Sequence, residues 1–178
     1  MRQSYRFELA KTATEVREYF GLRYEIFCLE QGLFRWSDRD EIDRIAYPIV
    51  ALTSPHSIYQ PDIAAWERVV GVVRIYEPEP GIWYGGRLGV HLQHRRGWRI
   101  GKGLIEKAVQ TAHTWGCRQF LATVQLQNVR FFQRLHWDSL EELTICDRPH
   151  HLMQADLNHY LPNGEPRPQG IPQWLEVA

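Results

Sequence analysis

The sequence predicts an α/β fold, one domain in which helices pack against a mixed central sheet. Runs of β-branched or alternating apolar residues predict seven strands, and apolar residues at steps of three and four predict the helices. The predicted order along the chain is β-α-α-β-β-β-α-β-α-β-β. At 178 residues the chain is long enough to bury one adequate core.

The first half of the chain supplies four strands and two helices. Residues 5–9 alternate apolar and charged side chains, and Thr12–Glu15 has the spacing of a capping box at a helix start. Gly21 predicts a kink in that helix, and Ser37 or Asp38 could cap a short second helix. The remaining predictions here are strands at 47–52, 69–76 and 82–90 and a helical turn near 63–66.

The second half begins with a basic loop and a long helix that ends at Gly116. The elements that follow are a strand at 120–124, a short helix opened by residues 125–128, and strands at 140–145 and 151–156. Further on, the chain is rich in proline and glycine, which predicts an extended tail pinned by Trp174 and Leu175. The expected organisation is a domain at 1–160 and a tail at 161–178.

Composition excludes several classes of function. Lys plus Arg equals Asp plus Glu at 21 each, so no global charge favours nucleic acid or an anionic membrane. The three cysteines are widely spaced, which argues against a disulfide framework or a zinc site, and we predict no metal. Without a signal-peptide pattern or an apolar run near the roughly 20 residues of a membrane span, a cytoplasmic protein is expected.

The most informative stretch is the basic loop and the helix start that follows it. Gly97, Gly101 and Gly103 would let a ligand approach the backbone closely, because no Cβ stands in the way. The first amides of a helix have no internal partner, and the helix dipole makes that end positive. Four basic side chains surround the same point: Arg95, Arg96, Arg99 and Lys102. The stretch therefore predicts a phosphate or pyrophosphate site, with a solvated basic turn as the alternative.

Two common phosphate motifs do not match this loop. A P-loop needs four residues before its Gly-Lys pair and a hydroxyl residue after it, whereas three residues precede Gly101 and Gly103 follows Lys102. The dinucleotide pattern would need glycine where Glu106 stands. The loop instead resembles the acyl-CoA pyrophosphate loop of GNAT acyltransferases, Arg/Gln-x-x-Gly-x-Gly/Ala. Arg96, Ile100 and Gly101 match it, while Arg99 replaces the first glycine.

The stretch after the strand at 120–124 resembles a second GNAT landmark, which is Asn followed by Phe-Tyr-x-x-x-Gly-Phe. Asn128 matches, but Phe132 stands where the family often has a catalytic tyrosine, and His136 replaces the glycine. Phenylalanine cannot protonate a leaving thiolate, so the usual general acid is missing. The resemblance covers residues 5–157, and within the family it is strongest to a bacterial subfamily from nitrilase-associated gene clusters.

The resemblance implies a sheet splayed between two middle strands, with acetyl-CoA or another acyl-CoA as co-substrate. The cofactor-binding residues it implies are Leu88, Val90, Arg96, Gly97, Trp98, Arg99, Ile100, Gly101, Lys102, Gly103 and Asn128. Strand alternation places Tyr84, Gly86, Leu88 and Val90 on one face, which makes Tyr84 the first candidate for a catalytic acid. The other catalytic candidates are Glu77 and His91 as base and His136 as a substitute for the tyrosine, with structural roles favoured for both histidines.

An acidic segment precedes the second predicted strand. Together with Tyr24–Gly32 it is similar to the opening of a GNAT branch and to acyl-homoserine-lactone synthases. The carboxylates of this segment are Asp38, Asp40, Glu41 and Asp43. They could bind a cationic amine; the slightly favoured alternative is that they form a solvated, well-capped helix start.

The expected function is N-acyltransfer of an acetyl or other short acyl group from acetyl-CoA to an amine of a small molecule. The alternatives are a non-catalytic acyl-CoA sensor and an enzyme related to acyl-homoserine-lactone synthases. Small-molecule amines are the expected partners, without nucleic acid or membrane, and a homodimer is left open.

Overall fold

The computed structural model describes residues 4–53 and 67–170. The helical turn predicted near 63–66 and the contacts predicted for Trp174 and Leu175 lie outside these residues. Within them, no helix is long and apolar enough to span a bilayer.

A seven-stranded mixed sheet forms the centre of the molecule, as predicted. Its strands are β1 (Tyr5–Leu9), β2 (Tyr47–Thr53), β3 (Val69–Glu79), β4 (Ile82–Val90), β5 (Gln119–Gln125), β6 (Trp137–Ile145) and β7 (Arg148–Ala155). The strand order across the sheet is β1-β2-β3-β4-β5-β7-β6. Only β4 and β5 pair in parallel; the other neighbours are antiparallel.

In residues 4–53 and 67–170, three α-helices and several short helical segments flank the sheet. The α-helices are α1 (Ala13–Arg23), α2 (Arg99–Thr114) and α3 (Val129–Arg134). After Gly21, where a kink was expected, α1 continues into π-helical turns at Tyr24–Glu30. The predicted second α-helix is wrong: this segment forms one 3₁₀ turn, Glu41–Arg44, which Asp40 caps. The physical reason is that the carboxylate of Asp38, the expected cap, is bound by arginine side chains instead.

The core has one layer on each face of the sheet. On one face α2 packs against the middle strands, with Leu104 and Val109 fully buried. On the other face α1 and the π-helical turns bury Tyr19 and Ile26. The middle strands are therefore covered on both faces, and the sheet separates the two layers.

The sheet opens between its two parallel strands. Pairing of β4 with β5 ends at Gly85 opposite Ala122, although β4 continues to Val90 and β5 to Gln125. The two strands therefore diverge over their last residues and leave a notch, which confirms the predicted splay. The unpaired edge of β4 keeps backbone donors and acceptors available inside the fold.

The described part of the C-terminal tail is fixed against α2. Asn163 accepts a hydrogen bond from the Thr114 hydroxyl and donates one to Thr111. The Glu165 carboxylate binds Lys107 at 2.5 Å, and Arg167 reaches Glu77 at 2.9 Å. These contacts make residues 161–170 an ordered part of the molecule.

Candidate active site

A cavity of about 440 Å³ occupies the notch and extends to both faces of the sheet. Side chains of α2 and α3 line it on one face, and side chains of β3, β4 and the π-helical turns line it on the other. Its walls are largely aromatic, with Phe27, Phe34, Phe120, Phe132 and Trp137. Its polar lining groups include Asp40, Arg74, Tyr76, Tyr84, Arg87, Thr123, Gln125, Asn128 and His150.

The helix that follows the open end of β4 begins without a side-chain cap. The residue before α2, Trp98, has a left-handed backbone (φ 62°) and no capping hydrogen bond. The first bond into the helix runs from the Lys102 amide to the Trp98 carbonyl at 2.9 Å. In the part of the chain that the structure describes, the amides of Ile100 and Gly101 have no protein acceptor. They are available to an anion.

The four basic residues of this loop are not equivalent. Arg95 is paired with Glu30 at 2.5 Å and also donates to the Val90 carbonyl. Lys102 lies 3.6 Å from Glu106, one helical turn further along. The Arg99 guanidinium lies over the Tyr5 ring at 5.4 Å. Arg96 is exposed, and no ion pair joins it to another described residue.

The three loop glycines serve different purposes. Gly97 has a φ of 81°, and a Cβ there would meet nothing within 4 Å. A Cβ at Gly101 would lie 3.6 Å from the Phe131 ring, in ordinary contact. At Gly103 a Cβ would come within 2.2 Å of the Phe7 ring. Gly103 therefore lets α2 approach β1, which accounts for this glycine by packing, while its contact with a cofactor stays a prediction.

A β-bulge in β4 changes which side chains face the two halves of the cavity. Val72 pairs with Gly89 but Arg74 pairs with Gly86, so β4 carries one extra residue between them. Arg87, within the bulge, has a φ of 53°. Alternation is broken at such a point. Before the bulge, Tyr84 and Gly86 lie on the α1 face: the Tyr84 ring stacks on Tyr76, and Gly86 lies beside Arg74. After the bulge, Leu88 and Val90 pack with the α2-side cluster. The single face predicted for these four residues is therefore wrong.

Three arginines and three aspartates form a closed ring of alternating charge on the α1 face of β4. In order around this arginine–aspartate ring the members are Arg23, Asp38, Arg87, Asp40, Arg74 and Asp43. The six N···O distances that close it lie between 2.6 and 3.2 Å. Sequence reasoning missed its arginines, although a charged residue inside the apolar run of β3 was a signal that Arg74 has a partner.

The ring changes the interpretation of the acidic segment. Asp38 and Asp43 each lie between two arginines, and neither lines the cavity. Glu41 points away, with its side chain 82% exposed and paired with Arg44. The positions of these three residues therefore do not support the prediction that they bind a cationic amine. Of the acidic segment, only Asp40 lines the cavity.

A family model and solved structures show which known proteins this chain resembles. The model of the acetyltransferase (GNAT) family matches residues 15–137, more than half of the chain. The chain belongs to the GNAT family. The resemblance predicted from the basic loop and Asn128 is confirmed at this level, whereas the resemblance to the nitrilase-associated subfamily stays a prediction. A search of curated proteins found no match.

Solved structures with the GNAT-type fold resemble this GNAT chain at low sequence identity. Escherichia coli ElaA is 20% identical, with a TM-score of 0.67 over 87% of this chain and 100% of ElaA. An acyl-CoA N-acyltransferase from Pseudomonas aeruginosa is 19% identical, with a TM-score of 0.65 over 86% and 99%. TofI, in a ternary complex with an inhibitor and MTA, is 16% identical, with a TM-score of 0.62 over 92% and 98%. At these identities the likeness shows the fold alone.

Glu77, a predicted base of this GNAT domain, lies away from the cavity. It accepts a hydrogen bond from the Gly81 amide at 2.8 Å and pairs with Arg167 at 2.9 Å. Both contacts are at the closed, hairpin end of β3 and β4, while the notch is at the other end of β4. The position of Glu77 therefore does not support a catalytic role.

The two histidine candidates also lie outside the cavity lining. The His91 ring accepts a hydrogen bond from the Gln93 amide and lies 3.5 Å from Glu25. The His136 ring is stacked on His159, with 3.6 Å between the ring centroids. Both rings have local structural partners, so their positions favour the structural alternative.

Tyr84 does line the cavity, and it is not alone. Its ring stacks on that of Tyr76 with 5.7 Å between centroids. Burial raises the pKa of Tyr76 above the ordinary value for a tyrosine. Phe132 lines the same cavity with its ring edge-on to Trp137. The cavity thus has phenol groups on the α1 face and an apolar ring where the family often has tyrosine.

Among residues 4–53 and 67–170, no group of three or more His, Cys, Asp or Glu side chains is arranged to hold a metal ion. The polar groups that line the cavity include phenols, side-chain amides, a hydroxyl and charged side chains.

Proposed function

We propose that this GNAT protein transfers an acetyl or other short acyl group from acetyl-CoA to an amine of a small molecule. One observation carries the proposal: the loop that follows the end of β4 not paired with β5 leads into the uncapped start of α2, and the gap between β4 and β5 holds a cavity lined from both faces of the sheet. An acyl-CoA needs a site for its diphosphate and a channel for its extended arm, and these two features supply both.

In this proposal the diphosphate binds the amides of Ile100 and Gly101, with Arg96 beside them. Amides at a helix start favour negative charge through their direction and through the helix dipole. The pantetheine arm then lies along the unpaired edge of β4, where its amides pair with the backbone between Gly86 and Val90. A backbone N–H of this edge polarises the thioester carbonyl.

The amine approaches through the α1-side half of the cavity. Holding it against the thioester supplies a large part of the rate, because a bimolecular step becomes effectively unimolecular. The attacking nitrogen passes its proton to water in the cavity, since Asp40, the acid among the described lining residues, is engaged by two arginines. Tyr84 or its neighbour Tyr76 protonates the leaving thiolate in place of the tyrosine that Phe132 replaces.

Calorimetric titration with acetyl-CoA tests the cofactor half of the proposal. We expect saturable binding that weakens with added salt, because the phosphates are held largely by charge. The absence of binding up to about millimolar acetyl-CoA, the weak end of ordinary affinities, would end the proposal.

Thiol release from acetyl-CoA with a panel of amines tests the chemical half. Turnover with any amine excludes the non-catalytic sensor, whereas tight binding without turnover favours it. The alternative related to acyl-homoserine-lactone synthases needs binding of S-adenosylmethionine near the 38–43 segment, and a null titration would remove it. Tyr84→Phe and Tyr76→Phe, measured separately, identify which phenol acts.

A further inference from the structure

We infer that the acceptor amine carries a carboxylate, which Arg87 binds at the cavity with Arg74 beside it. This inference rests on the acyltransferase proposed above and names the chemical class of its second substrate. It replaces the cationic amine that the acidic segment suggested. Its basis is the number of hydrogen-bond donors that each arginine of the ring has left unused.

Arg23, the ring arginine away from the cavity, has no spare donor. A guanidinium carries five N–H groups. Those of Arg23 are taken by the Tyr19 hydroxyl, by both oxygens of Asp43, and by a carboxylate oxygen and the backbone carbonyl of Asp38. The side chain of Arg23 is fully buried. Its role is structural.

The two ring arginines that line the cavity are not saturated. Arg87 uses Nε and Nη2 for Asp38 and Asp40, which leaves both N–H groups of Nη1 without a partner among the described residues. Arg74 uses Nη1 twice and Nη2 once, and its buried Nε has no partner at all. The Nε of Arg74 is buried, and a buried donor without an acceptor is costly. The Nη1 donors of Arg87, which lines the cavity, can donate to the oxygen atoms of a ligand there.

The carboxylate of the ring that faces the cavity, by contrast, is already engaged. Asp40 is the acidic residue among the described cavity-lining residues. Its carboxylate accepts two hydrogen bonds from Arg74 and one from Arg87, so both of its oxygens are bound by guanidinium groups. An ammonium group would have to compete with these two cations for the same oxygens. A cationic substrate would meet two arginines with no free carboxylate between them.

The surroundings of Arg87 strengthen its preference for an anion. Burial lowers the pKa of Arg87, and the nearby charges of Arg74 and Arg23 lower it further. Its guanidinium lies 4.5 Å from the centre of the Phe34 ring, which also lines the cavity. A bound carboxylate would thus find a partly desolvated cation and aromatic walls for the rest of the molecule. Small amino acids with apolar or aromatic side chains fit this description.

The test compares amines that differ only in the carboxylate. Suitable pairs are phenylalanine and phenethylamine, tryptophan and tryptamine, and lysine and cadaverine, each titrated into the CoA-loaded protein and assayed for thiol release. We expect the carboxylate to improve binding by about 10- to 100-fold, the range for hydrogen bonds to charged groups. Equal or tighter binding of the decarboxylated members, or binding of neither set, overturns the inference.

These outcomes remain distinct from failure of the proposed function. If acetyl-CoA binds and phenethylamine or cadaverine is acetylated as fast as its amino acid, the acyltransferase stands and the carboxylate inference falls. If acetyl-CoA itself does not bind, both fall together.

Two matched variants locate the contact. Arg87→Lys keeps a charge beside Asp38 but removes the spare donors, so KM for phenylalanine should rise by about tenfold or more while the Kd for acetyl-CoA stays unchanged. Arg23→Lys perturbs the same ring without facing the cavity, and it should leave the ratio of KM values for phenylalanine and phenethylamine as it is. A change of that ratio in Arg23→Lys equal to that in Arg87→Lys contradicts the assignment.

Discussion

Two groups of arginines, those of the arginine–aspartate ring and those of the loop before α2, differ in how their charge is compensated. In the arginine–aspartate ring each guanidinium lies between two carboxylates. In the loop before α2, Arg96 is exposed, and no carboxylate pairs with it in the described part of the chain. The difference teaches that the number of basic residues does not identify an anion site. The number of donors left without a protein acceptor does.

The largest effect is expected from breaking the ring at its saturated arginine. Arg23→Met removes the buried cation that lies between Asp38 and Asp43 and leaves each with one arginine instead of two; breaking a buried ion pair costs about 3–5 kcal/mol of unfolding free energy. Urea denaturation of the wild type and the variant measures this loss.

A surface pair provides the control for the ring. Arg44 and Glu41 form an ion pair in which both side chains are more than three-quarters exposed, so Arg44→Met should change stability by no more than about 0.5 kcal/mol. Equal losses in the two variants would mean that the ring contributes no more than a surface contact.

The next largest effect should appear in cofactor affinity and not in stability. Combining Arg96→Ala with Gly101→Glu removes a phosphate contact and places a carboxylate at the start of α2. We expect the affinity for acetyl-CoA to fall at least about 100-fold, since a contact to a charged group contributes about 1.5–3 kcal/mol.

Gly21→Glu is a matched control for the loop variant, because a Cβ at Gly21, as at Gly101, meets nothing closer than ordinary contact. This control should bind acetyl-CoA like the wild type. Unchanged affinity in the loop variant would mean that the loop is assigned to the wrong ligand group.

Local sequence patterns were sufficient for the elements and for the loop. The capping box at Thr12 and Glu15 forms as predicted, with both of its hydrogen bonds present, because it depends on residues three positions apart. The order of the strands along the chain follows from their apolar patterns, because these patterns are local too. The basic loop is a local feature too, and its uncapped helix start is visible in the absence of a hydroxyl or carboxylate before Arg99.

The features that the sequence did not predict depend on distant residues. Arg87 binds Asp38 across 49 positions of sequence, and Arg74 binds Asp40 across 34. Because the acidic segment by itself does not show these partners, its carboxylates were predicted to bind an amine. The bulge at Arg87 shifts the alternation of β4 by one residue. The glycines at 85, 86 and 89 are typical of a bulge or of a ligand close to the strand, but they do not show which residue is inserted. Gly103 was predicted to contact the ligand, because the sequence does not show that the Phe7 ring packs against this position in the fold.

The smallest effect is expected in the pH dependence of the unfolding free energy in acid, to which the ring contributes and the loop does not. Burial alone would raise the pKa of Asp43, but hydrogen bonds and charges from Arg23 and Arg74 outweigh it and hold its pKa below the ordinary 3.8. A lowered folded-state pKa stabilises the protein above the ordinary value, and that contribution is lost as the pH falls through the folded pKa. Asp43→Asn should therefore flatten the decline of unfolding free energy below pH 3.8. The loop variant should keep the wild-type slope, and an identical slope in Asp43→Asn would contradict the assignment.

The central claim is that the uncapped start of α2 binds the diphosphate of coenzyme A, and backbone amide resonances test it directly. In a nitrogen–proton correlation titration with CoA, the amides of Ile100 and Gly101 should shift progressively and saturate together. The amides of Ala13–Glu15, at the capped start of α1, should not move. Saturating CoA that leaves Ile100 and Gly101 unshifted, or that shifts only amides elsewhere, would contradict the account.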